Sequence, residues 1–185
     1  MFVVFIGPPG AGKGTQAERL IDLLKIAHVS TGDLLRKAIS DGTELGKQAS
    51  DFMQAGKLVP DELVLGIIGE CLDDPKLQGG ALFDGFPRNV DQAKALDELL
   101  TKRGTPLKMV LELQVDTDEL IQRLLARKRA DDNLETITQR LEVYKNETAP
   151  VLQHYADLGL LEPLHGQGTP DEVFDRVQAI VAKHQ

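Results

Sequence analysis

The 185-residue sequence predicts an α/β fold, a three-layer sandwich in which a central parallel sheet is flanked by helices. Three observations carry that prediction. Apolar runs too short for helices recur along the chain, amphipathic helical segments lie between them, and the first run passes through a glycine-rich loop straight into a helix. Strands that alternate with helices pair in parallel through right-handed crossovers. A composition of 42% hydrophobic and 27% charged residues supplies a core and excludes a disordered chain, and the length fits one domain with small insertions.

The elements follow in order. Phe2-Val3-Val4-Phe5-Ile6 is unbroken apolar sequence without helical length, the pattern of a strand buried on both faces, and Gly7-Pro8-Pro9-Gly10 stops it. A helix reads from about Lys13 to Leu24, with Ala17, Leu20, Ile21 and Leu24 on one face. The strand pattern returns at Ala81-Leu82-Phe83, at Met109 to Leu113 and near Leu160-Leu161. Helices read between them at Asn89 to Leu100, Asp118 to Ala126 and Leu134 to Tyr155, the last as one continuous stripe. Thr169-Pro170-Asp171-Glu172 opens the closing helix as a capping box with proline at the first helical position.

Two segments break the alternation. From about Ser30 to Val59 the chain reads as two short helices with Gly32, Gly42 and Gly56 between or beside them and no strand, a helical insertion. From Arg127 to Asn133 the apolar pattern lapses into a charged hinge. Both read either as surface connections or as mobile covers over a cleft, and the glycines either as flexing points or as helix caps.

Lys plus Arg is 21 and Asp plus Glu is 29, a net charge of −8, which argues against nucleic acid and anionic membrane as partners. A small anion is still bound wherever basic residues converge on one cleft. The single cysteine, Cys71, excludes an internal disulfide and a cysteine-cage zinc site, and points to a reducing cytoplasm. No apolar stretch reaches transmembrane length.

Gly7-Pro8-Pro9-Gly10-Ala11-Gly12-Lys13 has the P-loop spacing of glycine, four residues, glycine, lysine, and sits between a buried strand and a helix start. Its backbone N–H groups make a nest for phosphate oxygens, the helix N-terminus adds positive potential, and Lys13 reaches the outer phosphates. The residue after Lys13 is Gly14, so the hydroxyl arrives one place late, at Thr15. Ala81-Leu82-Phe83-Asp84 is a strand ending in an aspartate, where a P-loop enzyme holds its metal, and Gly85-Phe86-Pro87-Arg88 then presents an arginine beside it. Taken alone, many buried strands end in aspartate and most arginines are surface ion-pair residues.

The motifs Gly7 to Thr15, Ser30-Thr31-Gly32-Asp33-Leu34-Leu35-Arg36, Ala55-Gly56-Lys57-Leu58-Val59, Asp84 to Arg88 and Arg129-Ala130-Asp131-Asp132 resemble, in order, those of the adenylate kinase family. Tyr144, Thr148 and Pro150 extend the similarity over nearly the whole chain, and Gly14-Thr15 is that family's usual arrangement. The resemblance implies reversible phosphoryl transfer from ATP to AMP giving two ADP, with Mg²⁺; one cysteine and no room for a lid cage argue against zinc, and a small cytoplasmic kinase with moving covers is most simply a monomer. The resemblance also implies a core (1–29, 60–125 and 137–185), an AMP-binding insertion (30–59) and a short lid (126–136). By the same resemblance Gly10, Ala11, Gly12, Lys13, Gly14 and Thr15 hold the ATP phosphates, Arg123 lies against adenine, Arg127 reaches phosphate, and Gly168 meets the base. Thr31, Arg36, Lys57, Leu58, Val59, Gly85, Phe86, Pro87, Arg88 and Gln92 form the AMP site, Arg129 and Arg140 close on the transferring group, and Asp33 and Asp84 hold Mg²⁺ mainly through water. Lys128 stands where many short lids carry glycine.

These residue types suit the reaction, because phosphoryl transfer is mostly positioning and charge stabilisation in a dry site. Arginine binds two phosphate oxygens at once and stays protonated. The rival within the family is a UMP/CMP kinase. Thr31 and Gln92 favour adenine, whose N1 acceptor and N6 donor a glutamine amide answers together, while Asn89 leans mildly toward the rival. A nucleotide-dependent switch is the rival of another class, and no guanine-reading Asn-Lys-x-Asp motif is present.

Overall fold

The computed structural model describes residues 1–127 and 133–184. The described chain runs β1 (Phe2–Ile6), α1 (Lys13–Leu24), β2 (Ala27–Ser30), α2 (Thr31–Ser40), α3 (Glu44–Gln54), α4 (Asp61–Leu72), β3 (Ala81–Asp84), α5 (Val90–Lys102), β4 (Leu107–Gln114), α6 (Thr117–Arg127), α7 (Leu134–Val143), α8 (Ala149–Asp157), β5 (Leu161–His165) and α9 (Pro170–Val181). The strands form a five-stranded parallel sheet in the order β2-β3-β1-β4-β5.

β1 lies at the centre because its residues can be dry on both faces. Phe2, Val4 and Ile6 join one apolar cluster with Val29, Phe83, Leu96, Leu100 and Tyr155. Val3 and Phe5 join the other, with Leu20, Leu82, Leu111, Leu113 and Val177. The period of two along the strand thus feeds two helix layers, and that makes a three-layer sandwich. The order places β3 and β4 on either side of β1, so the chain leaving β1 emerges at a crevice over the carboxyl ends of the strands, the usual ligand position in open parallel sheets.

Three features differ from the sequence reading. β2 is an added edge strand, pairing His28 with Leu82 and Ser30 with Asp84. Its four residues include only one that is buried, Val29, too short a pattern to register as a strand. α4 is a further helix, opened by Pro60 and by Asp61 and Glu62 in its first turn. The stripe from Leu134 to Tyr155 is not one α-helix: a π-helical turn at Tyr144–Thr148 separates α7 from α8, with the Ala149 N–H bonded to the Tyr144 carbonyl. Pro150 has no N–H to donate and its ring crowds the preceding turn, so the backbone widens there.

The region from Ser30 to Val59 holds two helices, α2 and α3. Ser30 ends β2 and caps α2, its hydroxyl accepting from the Asp33 N–H. Gly42 (φ 66°) and Gly56 (φ 69°) are left-handed residues closing the two helices. The N–H of Thr43 reaches back to Ala38 and that of Lys57 to Phe52, the Schellman pattern, which makes both glycines helix caps.

Candidate active site

A cleft of about 420 Å³ opens at the carboxyl ends of β1, β2 and β3. One wall is the β1–α1 loop. Gly10 (φ 84°) and Gly12 (φ 95°) take conformations that L side chains resist, and a Cβ at Gly10 would meet Leu124 Cγ at 2.9 Å. Gly12 is the N-cap of α1, so backbone donors at the start of that helix face the cleft without a side-chain cap. Lys13 Nζ donates to the Gly7 carbonyl at 2.7 Å and to the Pro8 carbonyl at 3.0 Å, folded over its own loop. Gly14 and Thr15 line the cleft in the first turn of α1. Ala11 is buried instead, its side chain in the core and its carbonyl accepting from Arg123.

Arg123, on α6, joins three parts of the chain. Nη1 donates to Ala11 at 3.2 Å, Nη2 donates to Gly166 at 3.1 Å, and Nη2 also pairs with Glu119. Its guanidinium therefore stands between the glycine loop and the β5–α9 loop. Gly168 lies on the latter loop with φ 111°, outside the cleft lining.

The opposite wall combines the insertion with the loop after β3. The Thr31 hydroxyl donates to the Gly85 carbonyl at 2.8 Å, and Arg88 Nε donates to the same carbonyl at 2.8 Å. Gly85 (φ 77°) permits this crowding: a Cβ there would stand 3.0 Å from Thr31 Oγ1 and 3.2 Å from Arg88 Nη2. Thr148, in the π turn, donates to the Arg88 carbonyl at 2.8 Å and fixes the loop from behind. Arg88 is set deep among protein atoms, and this desolvation holds its pKa below the usual guanidinium value; Asp84 opposes the shift and Arg36 adds to it. Its surface still opens to the cleft, and it remains a cation.

Gln92 is 1% exposed at the start of α5, its Oε1 accepting from the Arg88 N–H at 2.8 Å. Arg36 lines the same wall and binds Asp33 Oδ1 at 2.5 Å. Lys57, Leu58, Val59 and Pro87 complete it, whereas Phe86 is fully buried, stacked edge-on to Phe83 in the core. Arg140, on α7, lines the cleft beside Gly56, and the Thr136 hydroxyl ties the same helix to the Gln54 carbonyl of the insertion. The Arg127 side chain, Lys128, Arg129 and the rest of the 128–132 stretch lie outside the described residues.

For a metal, the donors are sparse. Asp84 ends β3 opposite Phe5 with a side chain 14% exposed, and Asp33 is 61% exposed. Among the described residues no group of three or more His, Cys, Asp or Glu converges. Two separated carboxylates beside a phosphate nest fit Mg²⁺, which keeps most of its water and takes the rest of its ligands from phosphate.

Two contributors, His28 and Asp61, escaped sequence reasoning, as did the role of Thr148. His28 lines the cleft from β2, its Nε2 buried, without a hydrogen-bond partner among the described residues, and 3.9 Å from Asp84 Oδ2. Asp61 accepts from Gln92, 31 positions away, and Thr148 holds Arg88 across 60. Their signal is purely tertiary, and no local spacing announces it.

A family model described as Adenylate kinase matches residues 5–160. An Adenylate kinase of Synechococcus sp. (strain RCC307) is 51% identical over 180 residues, 97% of this chain and 98% of the relative. One of Stenotrophomonas maltophilia is 49% identical over 185 residues, 98% and 99% of the two chains, and one of Mycolicibacterium paratuberculosis 49% over 183 residues, 99% and 100%. With a phosphate nest and a polar pocket facing each other across one cleft, and similarity along almost the whole length, the chain belongs to the adenylate kinase family.

Proposed function

We propose that this chain transfers one phosphoryl group reversibly from ATP to AMP, giving two ADP, and so balances the adenine nucleotides. The observation that carries the proposal is that one cleft holds both sets of residues: the glycine loop with Lys13 on one side, and Thr31, Arg36, Arg88 and Gln92 on the other. Two nucleotides bound there meet phosphate to phosphate.

On the donor side, Gly10, Gly12, Gly14 and Thr15 cradle the ATP phosphates with backbone N–H groups, and Lys13 swings from the Gly7 and Pro8 carbonyls onto phosphate oxygens. Ala11 serves through its backbone, because its side chain is core. Arg123 anchors the ATP end and Arg127 reaches phosphate; Gly168 backs the base from the β5–α9 loop. On the acceptor side, Arg36 leaves Asp33 for the AMP phosphate. Lys57, Leu58, Val59, Gly85 and Pro87 shape the pocket, and Phe86 holds its loop rigid from the core. Arg88, whose pKa is held below the usual guanidinium value, faces the incoming anion from the cleft wall. Arg129 and Arg140 complete the ring of cations around the equatorial oxygens, which carry the transition-state charge.

Mg²⁺, held through water by Asp33 and Asp84, supplies charge neutralisation on the nucleotide phosphates when bound. Water is the competing nucleophile, so the insertion (30–59) and the short lid (126–136) act as covers that exclude it, flanked by a core of 1–29, 60–125 and 137–185. The chain works as a monomer in the cytoplasm, where its one cysteine stays free. Zinc has no part in it.

AMP is the acceptor because Thr31 and Gln92 offer hydrogen-bonding capacity suited to adenine. Initial rates with AMP, UMP and CMP at saturating Mg-ATP test this. AMP is expected to exceed both pyrimidine nucleotides in kcat/KM by at least about a hundredfold, on the scale of a polar site rejecting a mismatched base. Equal efficiency with CMP overturns the assignment.

A further inference from the structure

Gln92 is tied at both ends before any nucleotide arrives. Its Oε1 accepts from the Arg88 backbone N–H at 2.8 Å, and its Nε2 donates to Asp61 Oδ1 at 2.6 Å. Asp61, the first residue of α4, is held in turn by Asn89 Nδ2, at 2.9 Å from Oδ1 and 3.0 Å from Oδ2. Asn89 also caps α5, its Oδ1 accepting from the Gln92 N–H at 2.8 Å. A glutamine amide is assigned by its partners, and here they admit one answer. Turned over, it would set its NH₂ against the Arg88 N–H and its oxygen against a carboxylate, two repulsive contacts around a side chain that is 1% exposed.

The valences left over carry information. Nε2 retains one N–H and Oε1 one lone pair. The Thr31 hydroxyl gives its single proton to the Gly85 carbonyl, so toward the cleft it too offers lone pairs. Set with its free N–H toward N1 and Oε1 toward the 6-substituent, the fixed amide matches a 6-aminopurine, where N1 accepts and the N6 amino group donates. A 6-oxopurine presents the inverse, an N1–H donor and an O6 acceptor.

We infer that Asp61 is a positioning residue which, by locking the Gln92 amide, makes the acceptor pocket select 6-amino- over 6-oxopurine nucleoside monophosphates. The inference rests on reading this pocket as the AMP site. Asp61 is not among the residues lining the cleft but lines an adjoining pocket with Lys57, Val59 and Asn89, and it acts through Gln92. A carboxylate partner on Nε2 also pushes electron density through the amide to Oε1, strengthening its acceptance from the N6 amino group.

The test is the ratio of kcat/KM for AMP to that for IMP, in wild type and in D61N. The amide introduced by D61N is isosteric with the carboxylate and can present either an oxygen or an NH₂ to Gln92, so one of the two locks is lost. The AMP/IMP ratio is expected to fall about tenfold, the worth of one hydrogen-bonded constraint, with a raised KM for AMP, an unchanged KM for ATP and a similar melting temperature. A merely structural role would depress both acceptors alike, and a ratio within about twofold of wild type overturns the inference. The wild-type protein alone supplies a second reading by NMR. One Gln92 side-chain amide proton is expected downfield and slow to exchange, and an ordinary, rapidly exchanging pair overturns the lock even where D61N does not fold. A wild type that fails to phosphorylate AMP defeats the underlying reading, and the inference with it; a wild type that prefers AMP while D61N keeps the same ratio defeats the role of Asp61 alone.

Discussion

The Lys13 ammonium donates to the carbonyls of Gly7 and Pro8, which hold it over its own loop. Lys13→Met is expected to lower kcat about 10²- to 10³-fold, the scale for deleting one preorganised charge-stabilising group, with an unchanged melting temperature by circular dichroism. Near-normal turnover by the folded variant would remove Lys13 from the machinery. At this scale the sequence was informative where a motif is contiguous: Gly7 to Thr15 and Asp84 to Arg88 stand on the two facing walls. It was silent where function is relayed. Nothing in the spacing of Asp61 and Thr148 announces that they help hold the loop around Arg88, because their contacts span 28 or more positions. Ala11 and Phe86 teach the complement, since a residue inside a binding motif can point its side chain into the core.

Among the elements, α2 and α3 depend on one small residue. Gly46 is buried where α3 meets α2, and a Cβ there would overlap the Ala38 backbone. Gly46→Ala therefore forces the two helices apart, at an expected cost of about 1–3 kcal/mol for overpacking, read by urea denaturation. Because α2 carries Thr31 and Arg36, the KM for AMP should rise while that for ATP holds; equal stability and KM would show that the helices pack otherwise. α9 offers a pH test. The Glu172 carboxylate accepts from the Thr169 N–H at 2.7 Å, and this bond, with the Thr169 hydroxyl, lowers its pKa. A depressed carboxylate adds stability that is fully present above its unfolded pKa and disappears as pH falls through the folded value. The melting temperature of Glu172→Gln, compared with wild type, should be slightly lower at neutral pH and converge with it on acidification below the ordinary carboxylate range. A gap that widens instead would reverse the sign. This capping box could be read from four consecutive residues, and so could the strand in Phe2–Ile6 from its own apolar run. β2 and the π turn before Pro150 could not, since one is four residues at a sheet edge and the other is a distortion within a sound helical stripe.

For the molecule as a whole, the alternation of strands and helices was sufficient to predict a parallel sheet in three layers, because burial of both faces of β1 leaves few other arrangements. The order β2-β3-β1-β4-β5 then brings the glycine loop, the end of β3 and the insertion to one edge, although they are far apart along the chain. That convergence is what allows an acidic protein of net charge −8 to gather cations around phosphates. It also sets the central claim, that the cleft passes a phosphoryl group from one nucleotide directly to another and excludes water. The most direct test follows the group itself. ATP carrying ¹⁸O in its γ-phosphoryl is mixed with Mg²⁺ and AMP whose adenine carries ¹⁵N, and the early products are resolved by mass spectrometry. Direct transfer predicts ¹⁵N-labelled ADP that also bears the ¹⁸O-phosphoryl, formed in step with unlabelled ADP, and almost no inorganic phosphate. Labelled phosphate released to solvent at a rate indifferent to AMP, with no doubly labelled ADP, would contradict it.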